Sequence, residues 1–186
     1  MSALDPSTIE AAFLNALKAR DGELDWDKKL LPKREAYLAT QVPAPNTFQP
    51  KTAEQRDVAN FVMSVNYEEG YACDRAYSQR ASRQTEVDRY QLIEEFYHTR
   101  LLQACGRALG GEEKRLKTPW TRKILIDMIT QLPEAVRRPV KFSAEILGTV
   151  VMYEVKLLVL RHFPEATAIA NVIDEIVTDE SGHMQY

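Results

Sequence analysis

Over most of the chain apolar residues return every three or four positions, the period of an α-helix with one buried face. Two-residue alternation is rare and glycine is scarce, at seven residues, so strands have little support. The breaks in this pattern define the elements. Thr52-x-x-Gln55 is a capping box, and the helix after it runs to about Arg80 with Val58, Phe61, Val62, Val65, Ala72 and Ala76 on one side. A second helix spans 84–109 and stops at Gly110-Gly111. A connecting helix starts at Thr118-Pro119, with proline in the first helical position. Two more helices follow, over 139–162 and from Pro164 onward. Ahead of these, Ser7-x-x-Glu10 caps a short first helix. Residues 21–51, with Pro32, Pro43, Pro45 and Pro50, read as an irregular wrapping segment. The expectation is an all-α chain: an N-terminal helix and wrapping segment over 1–51, then a four-helix bundle over 52–186. The bundle is two antiparallel hairpins joined by a crossover that holds one extra helix.

The formal net charge of -3 gives no reason to expect nucleic-acid binding. Basic clusters at Lys114, Arg115, Lys117, Arg122 and Lys123, and at Arg137, Arg138 and Lys141, read as solvated helix faces and loops, with a docking patch for an acidic partner as the alternative. No apolar run is long enough to span a membrane, and the N-terminus lacks the pattern of a signal peptide. Cys73 and Cys105 lie within apolar helical patterns and read as buried free thiols, which suits the cytoplasm.

Two of the three histidines occur as Glu95-Phe96-Tyr97-His98 and Glu180-Ser181-Gly182-His183. Residues three apart share a helix face, so each Glu and His can grip one ion together. One such motif is weak; two, on different long helices, point to a two-metal site that also needs an acid from each remaining helix. Residues level with each other in an antiparallel hairpin are equidistant from its turn. Glu69 and Glu95 are equidistant from residue 82, within the polar turn 79–83. Glu145 and Glu180 are equidistant from the break at 162–163, just before Pro164. Glu68 passes nearly as well as Glu69, but the face of Glu69 carries Val62, Val65, Ala72, Cys73 and Ala76 and is the more apolar. Glu154 lies in the more apolar stripe of its helix, with Leu147, Val150, Val151, Leu157 and Leu158. Its level partner would be residue 172, roughly 12 Å of helix short of Glu180, so Glu145 is preferred and Glu154 is left as a buried or edge acid in need of a partner. The candidate ligands are Glu69, Glu95, His98, Glu145, Glu180 and His183, a mixed oxygen and nitrogen set that suits two Fe or Mn ions. Gly148, Thr149 and Met152, near the face of Glu145, are candidates for a substrate pocket. Tyr97 reads as a packing residue, with a redox role as the alternative.

Glu94-Glu95-Phe96-Tyr97-His98 and Asp179-Glu180-Ser181-Gly182-His183 resemble the paired (Asp/Glu)-Glu-x-x-His motifs of the ferritin-like di-iron oxygenases. That group includes bacterial multicomponent monooxygenases, the ribonucleotide reductase small subunit, aldehyde-deformylating oxygenase and p-aminobenzoate N-oxygenase. The resemblance implies a ferritin-like bundle, two iron ions, and O2-dependent oxidation of a small organic substrate. It also implies that Glu94 and Asp179 hydrogen-bond the ligand histidines, and that Thr149 matches an active-site threonine of some monooxygenases. The additional histidine of the N-oxygenases is replaced by Ile176. A reductase or other electron donor and a second copy of the chain are the partners implied. In these families the last helix usually continues past its ligands, which implies a shortened chain or a partner that covers the site. The alternatives are an iron-oxidising or peroxide-scavenging protein of ferritin or rubrerythrin type, and a metal-free helical interaction module.

Overall fold

The structure, a computed structural model, describes residues 31–65, 71, 72, 75, 86–112 and 120–183. Among them are six helices and no strand: α1 (Leu31–Gln41), α2 (Ala53–Ser64), α3 (Glu86–Ala108), α4 (Trp120–Gln131), α5 (Glu134–His162) and α6 (Thr167–His183). The expected helix at Ser7, the turn at 79–83, Glu68, Glu69 and Cys73 lie outside the described residues.

The helices begin and end for local reasons. Thr52 accepts the Gln55 amide at 3.1 Å, as the capping box requires. The Gln55 side chain then donates to the carbonyl of His162 at 2.6 Å, so the start of α2 satisfies an orphan group at the end of α5. After α3 the chain turns at Gly110, whose φ of 81° is open to glycine, and Gly111 donates back to Gly106 at 2.8 Å.

α2, α3, α5 and α6 pack on one another, with α1 against α3. Their shared core contains Val62, Leu101, Leu102, Cys105, Val155, Val159, Ile169, Val172 and Ile173, all buried. Cys105 is a free thiol within it. Where α2 crosses α3 the backbones nearly touch: a Cβ on Gly106 would sit 2.7 Å from the Met63 nitrogen. No helix among the described residues is long and apolar enough to cross a membrane.

Three expectations need correction. Part of the stretch read as irregular is α1, because Pro32 is the second residue of that helix, where a missing N–H loses nothing. α5 starts at Glu134, not near Pro139. Pro133 occupies its N-cap, and Pro139 lies in the second turn, where it removes one backbone bond from a helix of 29 residues. Third, the apolar stripe of α5 around Glu154 is split: Val151 and Leu158 pack half-buried against the core, and the rest faces outward. Leu147, Val150, Tyr153 and Leu157 are exposed, as is Glu154, while Glu145, Met152, Val155 and Val159 turn inward. Glu154 therefore faces water and needs no partner. α4 also leaves Trp120, Ile124, Leu125 and Met128 exposed.

Candidate metal centre

α3 and α6 each bring an acid, a second acid and a histidine to one place at the same spacing: Glu94, Glu95 and His98, and Asp179, Glu180 and His183. α5 adds Glu145. All seven are buried. Ligand atoms of Glu95, Glu145, Glu180 and His183 lie within 4.8 Å of one another, a group that could hold a metal ion. His98 joins its edge, with ring centroids of the two histidines 6.2 Å apart.

The two histidines are placed alike and cross between helices. His98 Nδ1 lies 3.1 Å from Glu180 Oε1 and 3.4 Å from Glu95 Oε2, and its Nε2 lies 3.2 Å from Asp179 Oδ2. His183 Nδ1 lies 3.0 Å from Glu95 Oε1 and 3.4 Å from Glu145 Oε2, and its Nε2 lies 3.0 Å from Glu94 Oε2. Each Nε2 thus meets an acid on the other helix, and each Nδ1 faces the inner carboxylates. A neutral ring with its proton on Nε2 donates outward and keeps the Nδ1 lone pair aimed inward.

Among the inward atoms, His98 Nδ1 pairs with Glu180 Oε1, but three others do not pair. Both carboxylate oxygens of Glu95 and Nδ1 of His183 are buried without a hydrogen-bond partner, although Nδ1 and Oε1 are only 3.0 Å apart. Buried lone pairs that converge without a proton between them are costly unless a cation sits among them. Charge points the same way. Among the described residues that are buried, the carboxylates of Glu94, Glu95, Glu145, Asp179 and Glu180 face one guanidinium, that of Arg34, which leaves four buried negative charges in excess, with half-exposed Lys141 beside Glu145. Protonating both histidines removes half of it; two divalent ions would remove all of it.

Without an ion, protons take up part of this excess. Burial alone would lower the histidines, but the surrounding carboxylates outweigh it and hold His98 and His183 well above their ordinary range. Burial would likewise raise Glu95 and Glu180, yet the histidine rings beside them bring both down. For Glu145 burial prevails, and its carboxyl is pushed up to about 7.

The remaining candidates are placed differently. Thr149 spends its hydroxyl on the carbonyl of Glu145, at 2.9 Å. Gly148 has open space beside it, and Met152 belongs to the apolar core. Glu69 lies outside the described residues. Two residues near the centre escaped sequence reasoning. Lys141 lies 3.9 Å from Glu145 Oε1 and also donates to the amide oxygen of buried Gln91, so it is more than a solvated cation. Arg34 reaches Glu94 and Asp179 from α1. The available signal was the spacing of Arg34, Tyr37 and Leu38, one helical face with a cation where an apolar residue is expected.

No family model, curated protein or solved structure matches this chain.

Proposed function

We propose that α2, α3, α5 and α6 form a ferritin-like four-helix bundle, with α4 as the crossover, and that its centre holds two iron ions. The protein is then an O2-dependent di-iron oxidoreductase acting on a small organic substrate. One observation carries the metal reading: the carboxylate of Glu95 and Nδ1 of His183 converge, buried and without a hydrogen bond, where buried carboxylates outnumber the buried guanidinium. Mixed carboxylate and imidazole donors suit first-row divalent ions, Fe or Mn.

Glu95, Glu145 and Glu180 offer oxygens, His98 and His183 offer Nδ1, and Glu69 is proposed as the further acid. Two ferrous ions held by these residues would supply the electrons for O2 chemistry. The chain fixes the ligands and keeps water away. Glu94 and Asp179 hold the outward protons of the two rings, so that both lone pairs stay turned to the centre. The apolar layer of Leu101, Leu102, Ile173 and Ile176 closes the adjoining end. A free thiol at Cys105 suits a reducing, cytoplasmic setting, where a reductase would return electrons to the centre.

Iron analysis of protein from iron-replete cells is expected to give about two Fe per chain. Ferrous protein exposed to O2 is expected to oxidise once per site and stop without reductant. Accumulation of hundreds of iron atoms would support storage instead, and full iron content in the His98→Ala/His183→Ala double variant would overturn the site.

A further inference from the structure

Arg34 lies outside the ligand set and on a helix outside the four-helix stack, yet it is only 7% exposed. Its Nη2 donates to Glu94 Oε1 and lies 3.7 Å from Asp179 Oδ2. Its Nη1 is 3.9 Å from Glu175, and its guanidinium stacks 5.2 Å from the ring centre of Tyr97. Tyr97 in turn packs edge-on against Tyr37 of α1, with centroids 6.4 Å apart. α1 is thus seated where the outer acids of both motifs meet.

The division of oxygens matters. Glu94 gives Oε1 to Arg34 and Oε2 to His183, so its carboxylate is held at both ends. Asp179 presents the same Oδ2 to His98 and to Arg34. Each histidine meets an outer acid through Nε2, and both outer acids lie beside one guanidinium. A planar fork with several donors can hold two carboxylates in fixed directions, which a point charge cannot.

We propose that Arg34 is a positioning residue for the metal centre: through Glu94 and Asp179 it sets the orientation of both His98 and His183, which makes α1 a working part of the site. This rests on the two-metal reading above. The plain alternative is that Arg34 only fastens α1 to the bundle. Glu35 supplies the control, because it also ties α1 to α3, through Arg100 at 3.1 Å, but from the exposed side and without touching an outer acid.

Cobalt(II) serves as the probe, since its visible bands report ligand geometry. The full chain, Arg34→Gln and Glu35→Gln are titrated with cobalt, with helical content followed by circular dichroism. Arg34→Gln is expected to keep its helices, to bind cobalt roughly 10- to 100-fold more weakly at both positions together, and to shift the visible bands. Glu35→Gln is expected to match the unaltered chain. In a Glu94→Gln/Asp179→Asn background, adding Arg34→Gln is expected to change little further, because the route to the histidines is already cut. Should Arg34→Gln fail to fold, Arg34→Lys replaces it, with weaker binding and shifted bands again expected. An arginine variant with unaltered affinity and bands, or one no weaker than Glu35→Gln, overturns the proposal. An unaltered chain that takes up no cobalt overturns the metal reading itself, and this inference with it.

Discussion

Beyond Leu101, α3 buries Leu102, Cys105 and Ala108; within the preceding two turns it buries Glu94, Glu95 and His98. α6 makes the same change in the opposite order, from Ile169, Ile173 and Ile176 to Asp179, Glu180 and His183. α5 passes from Glu145 to Val155 and Val159. Three helices therefore switch chemistry together, while burial stays equally complete. The apolar end gains about 25 cal/mol for each Å² of apolar surface removed from water. The polar end gains nothing of this kind, and its inward lone pairs oppose folding until a cation or protons fill the space between them. The same helices thus carry one region that holds the fold and another that the fold must hold in place. α1 belongs to the second region, since its buried Arg34 reaches the outer acids.

The largest expected effect lies at the apolar end. Ile173→Ala removes a fully buried side chain and should lower stability by about 2–5 kcal/mol. Urea unfolding should show nearly the same loss with metal and with chelator. A loss that vanished on metal loading would mean the two ends are not separable. At the polar end, Glu145→Ala should abolish the stabilisation that the unaltered chain gains from metal, about 2.7 kcal/mol at a hundredfold excess over the dissociation constant. Glu154→Ala, on the exposed face of the same helix, should stay within about 0.5 kcal/mol of the unaltered chain and keep that gain. The reverse ranking of the two glutamates would place the centre elsewhere.

The helical class was legible because periodicity, the Thr52 cap and the Gly110-Gly111 stop all act locally, and each reappears in the described helices. Counting from the turns separates Glu145 from Glu154 in the same way as the structure does, because helical rise is uniform and height follows from sequence distance alone. Facing is another matter. Periodicity reveals that α5 has an apolar stripe, but not that Leu147, Val150 and Leu157 of that stripe look outward while Glu145 looks in. That choice belongs to the neighbours, and no single helix encodes it. α1 was hidden because proline is a breaker inside a helix and harmless in its first turn, and the two cases differ by only a few residues. Arg34 was hidden with it: an arginine on a short helix reads as solvated until two acids distant in sequence are brought to it.

The smallest expected effect is the dependence of stability on pH, and its sign separates the two states of the polar end. In the ion-free chain the folded state holds protons on His98 and His183 more tightly than the unfolded chain does, since both are raised. Their contribution is complete below the unfolded value, about 6.5, and is lost as pH rises through the folded values. Glu145, pushed up to about 7, also keeps a proton that the unfolded chain gives up near 4.5, so stability falls across that window as pH rises. Glu95 and Glu180 are lowered and act oppositely: their contribution is present above the unfolded value and is lost as pH falls through the folded values. The ion-free chain should therefore be most stable near about pH 5 and weaken toward about pH 8. With metal the trend should reverse, because ligands must shed protons to bind and metal affinity climbs with pH. Thermal midpoints at about pH 5 and pH 8, with chelator and with cobalt, give the two slopes. Ile173→Ala should shift both curves without changing either slope, whereas His183→Ala should flatten both. Identical slopes with and without metal would show that the ion does not displace protons from these side chains, and the polar end would then be no more than a costly hydrogen-bonded core.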